Sequence, residues 1–162
     1  MRILGIDPGF ALVGWGVIEF HSSSISLIDY GVLSTDKSLE HSDRLLEIFK
    51  DMRSLLEDFN PDCVGIETLL FHRNITTAMG VSEARGVILM AARLRDKIRI
   101  QEVTPLQVKN SVSGYGRATK KQMQENVRII CGLDAVPEPD DAADAIAVAI
   151  CAHDLISSSQ LS

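Results

Sequence analysis

Four acidic residues occupy positions at which carboxylates could be held rigidly in one site. Asp7 and Glu67 each end a short apolar run of the kind that forms a buried strand. Asp141 and Asp144 lie three residues apart at the start of an Ala-rich stretch, so a helix there would present both on one face. Acids at the ends of adjacent strands, met by two acids on a helix, would form a divalent-metal site. That geometry indicates phosphodiester cleavage.

Each acid also has an ordinary structural interpretation. Asp7 precedes Pro8 and Gly9, and an isolated Asp-Pro-Gly more often opens a β-turn than binds a metal. Glu67 fits a polar residue where a strand leaves the core. Asp141 and Asp144 fit a first helical turn, where acids complement the helix dipole. No single acid therefore establishes a site.

The combination favours the functional interpretation because clustered carboxylates repel one another. Two such charges 4 Å apart repel by about 4 kcal/mol at an effective dielectric constant of 20. A cluster of four needs protons or cations to persist. Hard oxygen ligands suit Mg²⁺, with Mn²⁺ able to substitute.

The remaining pattern predicts an α/β fold. Strands are predicted at 2–7, 14–20, 25–33, 63–67 and 98–103. Helices are predicted at 41–59, 76–95, 105–110, 119–131 and 141–156. This order predicts one five-stranded mixed sheet flanked by helices on both faces. We expect a single domain over 1–156 and a short disordered tail at 157–162.

Composition restricts the class of protein. The 162 residues are 46% hydrophobic, which suffices for one core. No stretch approaches the roughly 20 apolar residues of a membrane span, and the N-terminus lacks a signal-peptide layout. Three cysteines without metal-type spacing indicate buried thiols in a reducing compartment. We therefore expect a cytoplasmic protein with no membrane partner.

Charge is distributed unevenly along the chain. The net charge is −6, yet residues 85–128 contain ten Lys and Arg against three Asp and Glu. A basic section on an acidic chain is typical of a surface that binds phosphates, although a solvated charged surface explains the asymmetry equally well.

Several motifs in chain order resemble the RuvC family of crossover (Holliday) junction endodeoxyribonucleases, over almost the whole sequence. They are Ile3-Leu-Gly-Ile-Asp-Pro-Gly9 with Gly14-Trp-Gly16, Gly65-Ile-Glu67, Asn74 with Glu83-Ala-Arg-Gly86, Val108-Lys109, Gly114-Tyr-Gly-Arg-Ala-Thr-Lys120, and Asp141-Ala-Ala-Asp144-Ala. The resemblance implies a ribonuclease-H-like fold and a homodimer. It also implies Mg²⁺-dependent paired nicking of four-way DNA junctions, with two ions per site, alongside the RuvA–RuvB branch-migration complex. The expected products carry 5′-phosphate and 3′-hydroxyl ends.

The resemblance also assigns residues. The family's four catalytic and metal-binding acids fall on Asp7, Glu67, Asp141 and Asp144, and its basic residues near the scissile phosphate fall on Lys109 and Lys120. Asp140 receives no catalytic role. The further candidate DNA contacts are Leu70, Phe71, Arg73, Asn74, Arg85, Arg117 and Lys121.

One position departs from the family pattern. The family usually places a junction-opening aromatic three residues after the glutamate, where this chain has Leu70, followed by Phe71. Either residue could serve. The second helix, with Gly80, Ala84 and Gly86, is the predicted dimer contact, although such small residues equally suit packing on the protein's own sheet.

Three other functions compete with junction resolution. A kinase or actin-like fold shares the Gly-Ile-Asp-x-Gly opening, but 162 residues cannot supply its second domain. A related ribonuclease-H-like nuclease acting on RNA and a catalytically dead junction-binding module both stay open.

Overall fold

The structure is a computed structural model that describes residues 1–22, 24–69 and 75–160. The strands are Arg2–Asp7 (β1), Leu12–Phe20 (β2), Ile25–Ser34 (β3), Cys63–Glu67 (β4) and Arg99–Val103 (β5). The helices are His41–Phe59 (α1), Ile75–Arg93 (α2), Pro105–Ser113 (α3), Lys120–Ile130 (α4) and Asp140–Gln160 (α5). Each predicted element is present, with bounds that differ by a few residues.

The five strands form one mixed sheet in the order β3-β2-β1-β4-β5. The strands β1, β2 and β3 pair antiparallel, whereas β4 lies parallel to β1 and β5 parallel to β4. The predicted five-stranded mixed sheet is thus confirmed. Its arrangement makes β1 and β4 neighbours with the same direction.

Helices cover both faces of the sheet, and strand pleating decides which side chain faces which helix. Leu4 and Ile6 belong to the core beneath α1 and α2, whereas Ile3 and Cys63 belong to the core beneath α3, α4 and α5. Because side chains alternate along a strand, Asp7 shares the face of Ile3, as Glu67 shares that of Cys63. Both acids therefore face the α5 side of the sheet.

A row of three paired glycines lets α5 approach the sheet closely. Gly5 pairs with Gly16 on β2 and with Gly65 on β4. A β-carbon on Gly5 would lie 2.1 Å from the carbonyl oxygen of Ala145, and one on Gly65 would lie 2.8 Å from the Ala152 β-carbon. The helix rests in a groove that any larger side chain would fill, and this contact fixes the position of its acidic first turn.

The apolar character of α5 corrects one expectation from the sequence. Residues 140–159 are long and apolar enough to cross a membrane by length and composition. However, 61% of the apolar window is buried inside the protein, where α5 contacts all five strands. Its closest approach to the sheet is along its alanine-rich face. The helix is the central core helix of the fold, which explains its composition.

The C-terminal segment also differs from the sequence expectation. The helix was predicted to end near 156, but α5 continues to Gln160. The hydroxyl of Ser158 donates to the Asp154 carbonyl, and that of Ser159 donates to the Ile156 carbonyl. Serines that bond back onto the preceding turn can continue a helix despite their low propensity. Most of the predicted tail is therefore helical.

Candidate nuclease site

Two of the four acids leave the sheet side by side. The strands β1 and β4 pair in parallel register through Ile6 and Ile66. The next residues are Asp7 and Glu67, which therefore emerge at the same end of adjacent strands. The predicted adjacency of the two strands is confirmed.

The other two acids come from the first turns of α5. The start of this helix packs against β2, the antiparallel neighbour of β1. Asp7 pairs with Gly14 across the antiparallel ladder. A β-carbon on Gly14 would lie only 2.0 Å from the carbonyl oxygen of Asp141, so the start of α5 touches this strand position. Asp144 follows one turn later. Three elements thus bring the four acids to one end of the sheet.

The ionisation of Asp7 shows that the four acids share one electrostatic field. Burial, followed by the charges of Glu67, Asp144 and Asp141 in that order, raises the pKa of Asp7 to about 8. The nearby ammonium of Lys120 acts in the opposite direction. Near neutral pH, a proton or another cation must compensate this carboxylate.

Two further acids have perturbed pKa values for the same reasons. Burial and the charge of Asp144 raise the pKa of Glu67 to about 7, opposed by Lys109. Burial also raises the pKa of Asp144 above its ordinary value, opposed by Lys120 and supported by Asp141. Desolvation combined with like charges is typical of functional sites.

A small pocket of about 220 Å³ joins three acids to both predicted lysines. Its polar lining is Asp7, Glu67, Lys109, Lys120 and Asp144. The fourth acid, Asp141, lines a separate groove of about 870 Å³ instead, together with Gly9, Phe10 and Arg44. The pocket itself therefore contains three of the four acids.

The donor set fits a hard divalent cation by its chemistry, although its present arrangement is not yet that of a ligand set. Among the residues described, no three His, Cys, Asp or Glu side chains are grouped so that they could hold a metal ion. The cation next to Asp144 is Lys120, whose Nζ lies 3.2 Å from Oδ2 of Asp144. Desolvated, mutually repelling carboxylates of this kind are the groups that Mg²⁺ or Mn²⁺ would bind.

The two lysines are positioned by well-capped helices. Lys120 is the first residue of α4, whose start is fixed by a capping box between Thr119 and Gln122. Lys109 lies in α3, where Thr104 and Gln107 form the same motif. A lysine at a helix start opposes the helix dipole, so Lys120 needs the neighbouring acids to be stable there. Consistently, although partial burial lowers it, Asp144 and Asp140 raise the pKa of Lys120 overall.

The other predicted DNA contacts differ in their exposure to solvent. Arg117 and Lys121 are exposed beside Lys120. Arg85 is mostly buried, where its Nε donates to the carbonyl of Glu67 at 3.1 Å and its guanidinium pairs with Glu102. This gives Arg85 a structural role at the end of β4, and its contact with DNA stays a prediction. Four of the predicted DNA contacts lie outside the described part of the chain: Leu70, Phe71, Arg73 and Asn74.

Sequence reasoning gave no structural role to three residues that build the site. Gly14 leaves room for the start of α5 to pack against β2. The sequence feature that could have indicated this is the Gly-x-Gly spacing, which places Gly14 and Gly16 on the same face of the sheet. Asp140 and Gln124 bond to each other at the edge of the pocket. Nothing in the spacing of those two residues links α4 to α5, because the contact depends on how the helices pack.

Known proteins resemble this chain in both sequence and fold. The family model described as crossover junction endodeoxyribonuclease RuvC matches residues 3–153. Crossover junction endodeoxyribonuclease RuvC of Chloroflexus aurantiacus is 48% identical over 151 residues, which cover 93% of this chain and 92% of the relative.

Two solved structures extend the comparison to the fold. Thermus thermophilus RuvC superposes with a TM-score of 0.87 at 31% identity, covering 99% of this chain and 97% of that one. Thermus thermophilus RuvC in complex with a Holliday junction substrate superposes with a TM-score of 0.86 at 28% identity, covering 98% and 96% of the two chains. The predicted ribonuclease-H-like fold is confirmed, and the chain belongs to the RuvC family of crossover junction endodeoxyribonucleases.

Proposed function

We propose that this protein resolves four-way (Holliday) DNA junctions in recombination and repair by symmetric paired nicks. The observation that carries the proposal is the convergence of Asp7, Glu67 and Asp144 with Lys109 and Lys120 on one pocket. Membership of the RuvC family and likeness to a relative bound to a junction support this substrate.

The acids would hold the catalytic cations, and the lysines would receive the scissile phosphate. Asp7, Glu67, Asp141 and Asp144 would bind two Mg²⁺ ions, or Mn²⁺, which supply an activated water and stabilise the leaving oxygen. Lys109 and Lys120 add positive charge where negative charge builds on the phosphate. Attack at phosphorus with departure of the 3′ oxygen leaves 5′-phosphate and 3′-hydroxyl ends.

DNA would be held chiefly through its backbone. Arg117 and Lys121 are exposed beside the pocket on a section of the chain rich in basic residues. Contacts to phosphate recognise shape and charge rather than base sequence. Junction affinity should therefore fall steeply with salt concentration. The predicted contacts at Leu70, Phe71, Arg73 and Asn74 belong to the same proposal.

We further propose that the protein acts as a homodimer through the outer face of α2. Exposed apolar side chains occur there at Met79 (61%) and Met90 (62%), with Leu94 (62%) just beyond the helix. Met90 and Gly86 also line an apolar groove of about 580 Å³ between α1 and α2. A two-fold dimer would place one active site on each of two opposed junction strands.

The predicted dimer residues on α2 point in different directions. Ala84 is fully buried within the protein's own core, and a β-carbon on Gly80 would contact Phe10 at 3.2 Å. Only Gly86 opens outward, with nothing within 4 Å of an added β-carbon. Of the three small residues that the sequence suggested for the dimer contact, the proposal therefore keeps Gly86 alone.

Cytoplasmic action beside the RuvA–RuvB complex completes the proposal. This part of the proposal rests on the family resemblance alone.

Cleavage of defined substrates tests the function. The protein would be incubated with a synthetic four-way junction, a linear duplex and a structured RNA, each with Mg²⁺ or with EDTA. We expect symmetric nicks on the junction alone, only with Mg²⁺, and loss of cleavage in Asp7→Asn. The exposed acid Asp58 on α1 provides the matched control, Asp58→Asn.

Each alternative predicts a different result. Preferential cleavage of RNA would support the ribonuclease, and junction binding without cleavage would support the inactive module. Normal junction cleavage by Asp7→Asn would refute the proposed metal site.

A further inference from the structure

Both carboxylate oxygens of Asp140 are bound by side chains of α4. The amide Nε2 of Gln124 donates to Oδ1 of Asp140 at 2.7 Å. The ammonium of Lys120 lies 3.3 Å from Oδ2 of Asp140 and 3.2 Å from Oδ2 of Asp144. Lys120 is therefore held between two acids of α5, only one of which belongs to the proposed metal site.

The arrangement follows from how the two helices meet. Lys120 and Gln124 are four residues apart, so they share one face of α4. Asp140 is the first residue of α5 and lies opposite that face. Gln124 fixes the carboxylate with a neutral donor and leaves the second oxygen for Lys120.

We propose that Asp140, oriented by Gln124, is a positioning residue that holds the Lys120 ammonium at the mouth of the pocket, ready for the scissile phosphate. The proposal deepens the proposed function and rests on it. If Asp144 binds a divalent cation, its charge is no longer fully available to Lys120. Asp140 is then the partner that keeps a long, flexible side chain from turning into solvent.

The solvent exposure of both side chains indicates that the ion pair between Lys120 and Asp140 orients the lysine more than it stabilises the fold. The side chains of Lys120 and Asp140 are 54% and 61% exposed. Ion pairs with this exposure add little to folding stability. Removal of Asp140 should therefore leave the fold intact, which makes the effect on Lys120 measurable.

The experiment combines cleavage with a direct measurement on Lys120. Variants Asp140→Ala, Gln124→Ala, Lys120→Met and the double variant Asp140→Ala/Lys120→Met would be compared with Glu138→Gln, an exposed acid two residues away. Single-turnover junction cleavage would be measured with Mg²⁺, and junction affinity with EDTA. The mobility of the Lys120 ammonium would be measured by ¹⁵N relaxation in Mg²⁺ without DNA.

We expect Asp140→Ala to slow cleavage about tenfold. This is less than the effect of misplacing a reacting group, because Asp140 only orients the Lys120 ammonium. Its junction affinity should change less than about twofold, because Asp140 itself does not contact phosphate. Gln124→Ala should act in the same direction but more weakly. Mobility of the Lys120 ammonium should rise in both variants and stay unchanged in Glu138→Gln.

The double variant separates positioning from an independent role. If Asp140 acts through Lys120, Asp140→Ala adds no further loss of cleavage when Lys120 is already Met. Additive losses, a native cleavage rate in Asp140→Ala, or unchanged Lys120 mobility would each overturn the proposal. Failure of the native chain to cut junctions would instead overturn the proposed function, because the relaxation measurement does not depend on cleavage.

Discussion

The backbone of Asp141 packs directly against Gly14, at a position where any side chain would clash. A β-carbon at Gly14 would lie 2.0 Å from the Asp141 carbonyl oxygen, far inside van der Waals contact. Gly14 also pairs directly with Asp7 in the β1–β2 ladder. One glycine thus sets the separation between a strand acid and a helix acid of the same site.

Gly14→Ala should therefore impair the site more than the fold. Overpacking of this kind costs about 1–3 kcal/mol of unfolding free energy. The clash displaces the first turn of α5, so Asp141 and Asp144 move relative to Asp7. We expect junction cleavage to fall at least about a hundredfold, since small misplacements of reacting groups have effects of that size. Urea unfolding and single-turnover cleavage measure the two effects.

Gly31→Ala is the matched control for this substitution. The three atoms nearest its added β-carbon would be ring atoms of Trp15, at 3.0–3.2 Å, and Gly31 lies on β3, away from the acids. We expect a modest loss of stability with nearly normal cleavage. Equal cleavage by Gly14→Ala and Gly31→Ala would contradict the role assigned to Gly14.

The raised pKa values predict how stability depends on pH in the absence of divalent metal. Asp7 has an ordinary value of 3.8 but titrates at about 8 in the folded protein, and Glu67 titrates at about 7. Between the unfolded and folded pKa values the folded state binds more protons than the unfolded state. The free energy of unfolding therefore falls as pH rises from about 4 to about 8, by up to about 1.4 kcal/mol per pH unit for each group, and then levels off.

Asp7→Asn should remove most of this dependence. In EDTA at pH 8 we expect the variant to be more stable than the natural chain, while at pH 4 the two should be similar. Urea titrations across this range provide the measurement, with Asp58→Asn as the control for loss of an exposed acid. A natural chain whose stability is flat between pH 5 and 8 in EDTA would show that the acids are not desolvated together.

Lys120 and its neighbour Lys121 should separate catalysis from binding. Lys120 lines the pocket with the acids, whereas Lys121 is exposed beside it. Lys120→Ala should reduce single-turnover cleavage about a hundredfold or more, with a small change in junction affinity, because its charge acts on the reacting phosphate. Lys121→Ala should weaken binding and reduce its salt dependence, with cleavage of bound junction preserved. Equal effects of the two substitutions would argue against a catalytic position for Lys120.

Sequence patterns predicted the parts of the site that depend on local structure. Strand ends at Asp7 and Glu67 and the helix face of Asp141 and Asp144 follow from periodicity and spacing, and the fold agrees with them. The side of α2 that Ala84 occupies could not be predicted, because small residues suit either a core or an interface.

Contacts between segments distant in the chain also could not be predicted from the sequence. Arg85 lies in a basic section that suggested DNA, yet its partners are Glu102 and the Glu67 backbone, which only the packing of α2 against β4 and β5 brings near. The serine-rich end of the chain suggested a disordered tail, but the hydroxyls of Ser158 and Ser159 bond to the helix backbone.

Met90→Glu should convert the proposed dimer into monomers. Met90 is 62% exposed on the apolar face of α2, and a two-fold contact there would bring two glutamates together in an apolar interface. Sedimentation velocity would measure the oligomeric state. On a plasmid with an extruded cruciform, we expect mainly single nicks from Met90→Glu and linear product from the natural chain, because paired cleavage needs both sites. Ile129→Glu, a 60% exposed position on α4, is the control and should stay dimeric and linearise the plasmid. A Met90→Glu variant that remains dimeric and still linearises the plasmid would place the dimer contact elsewhere on the molecule.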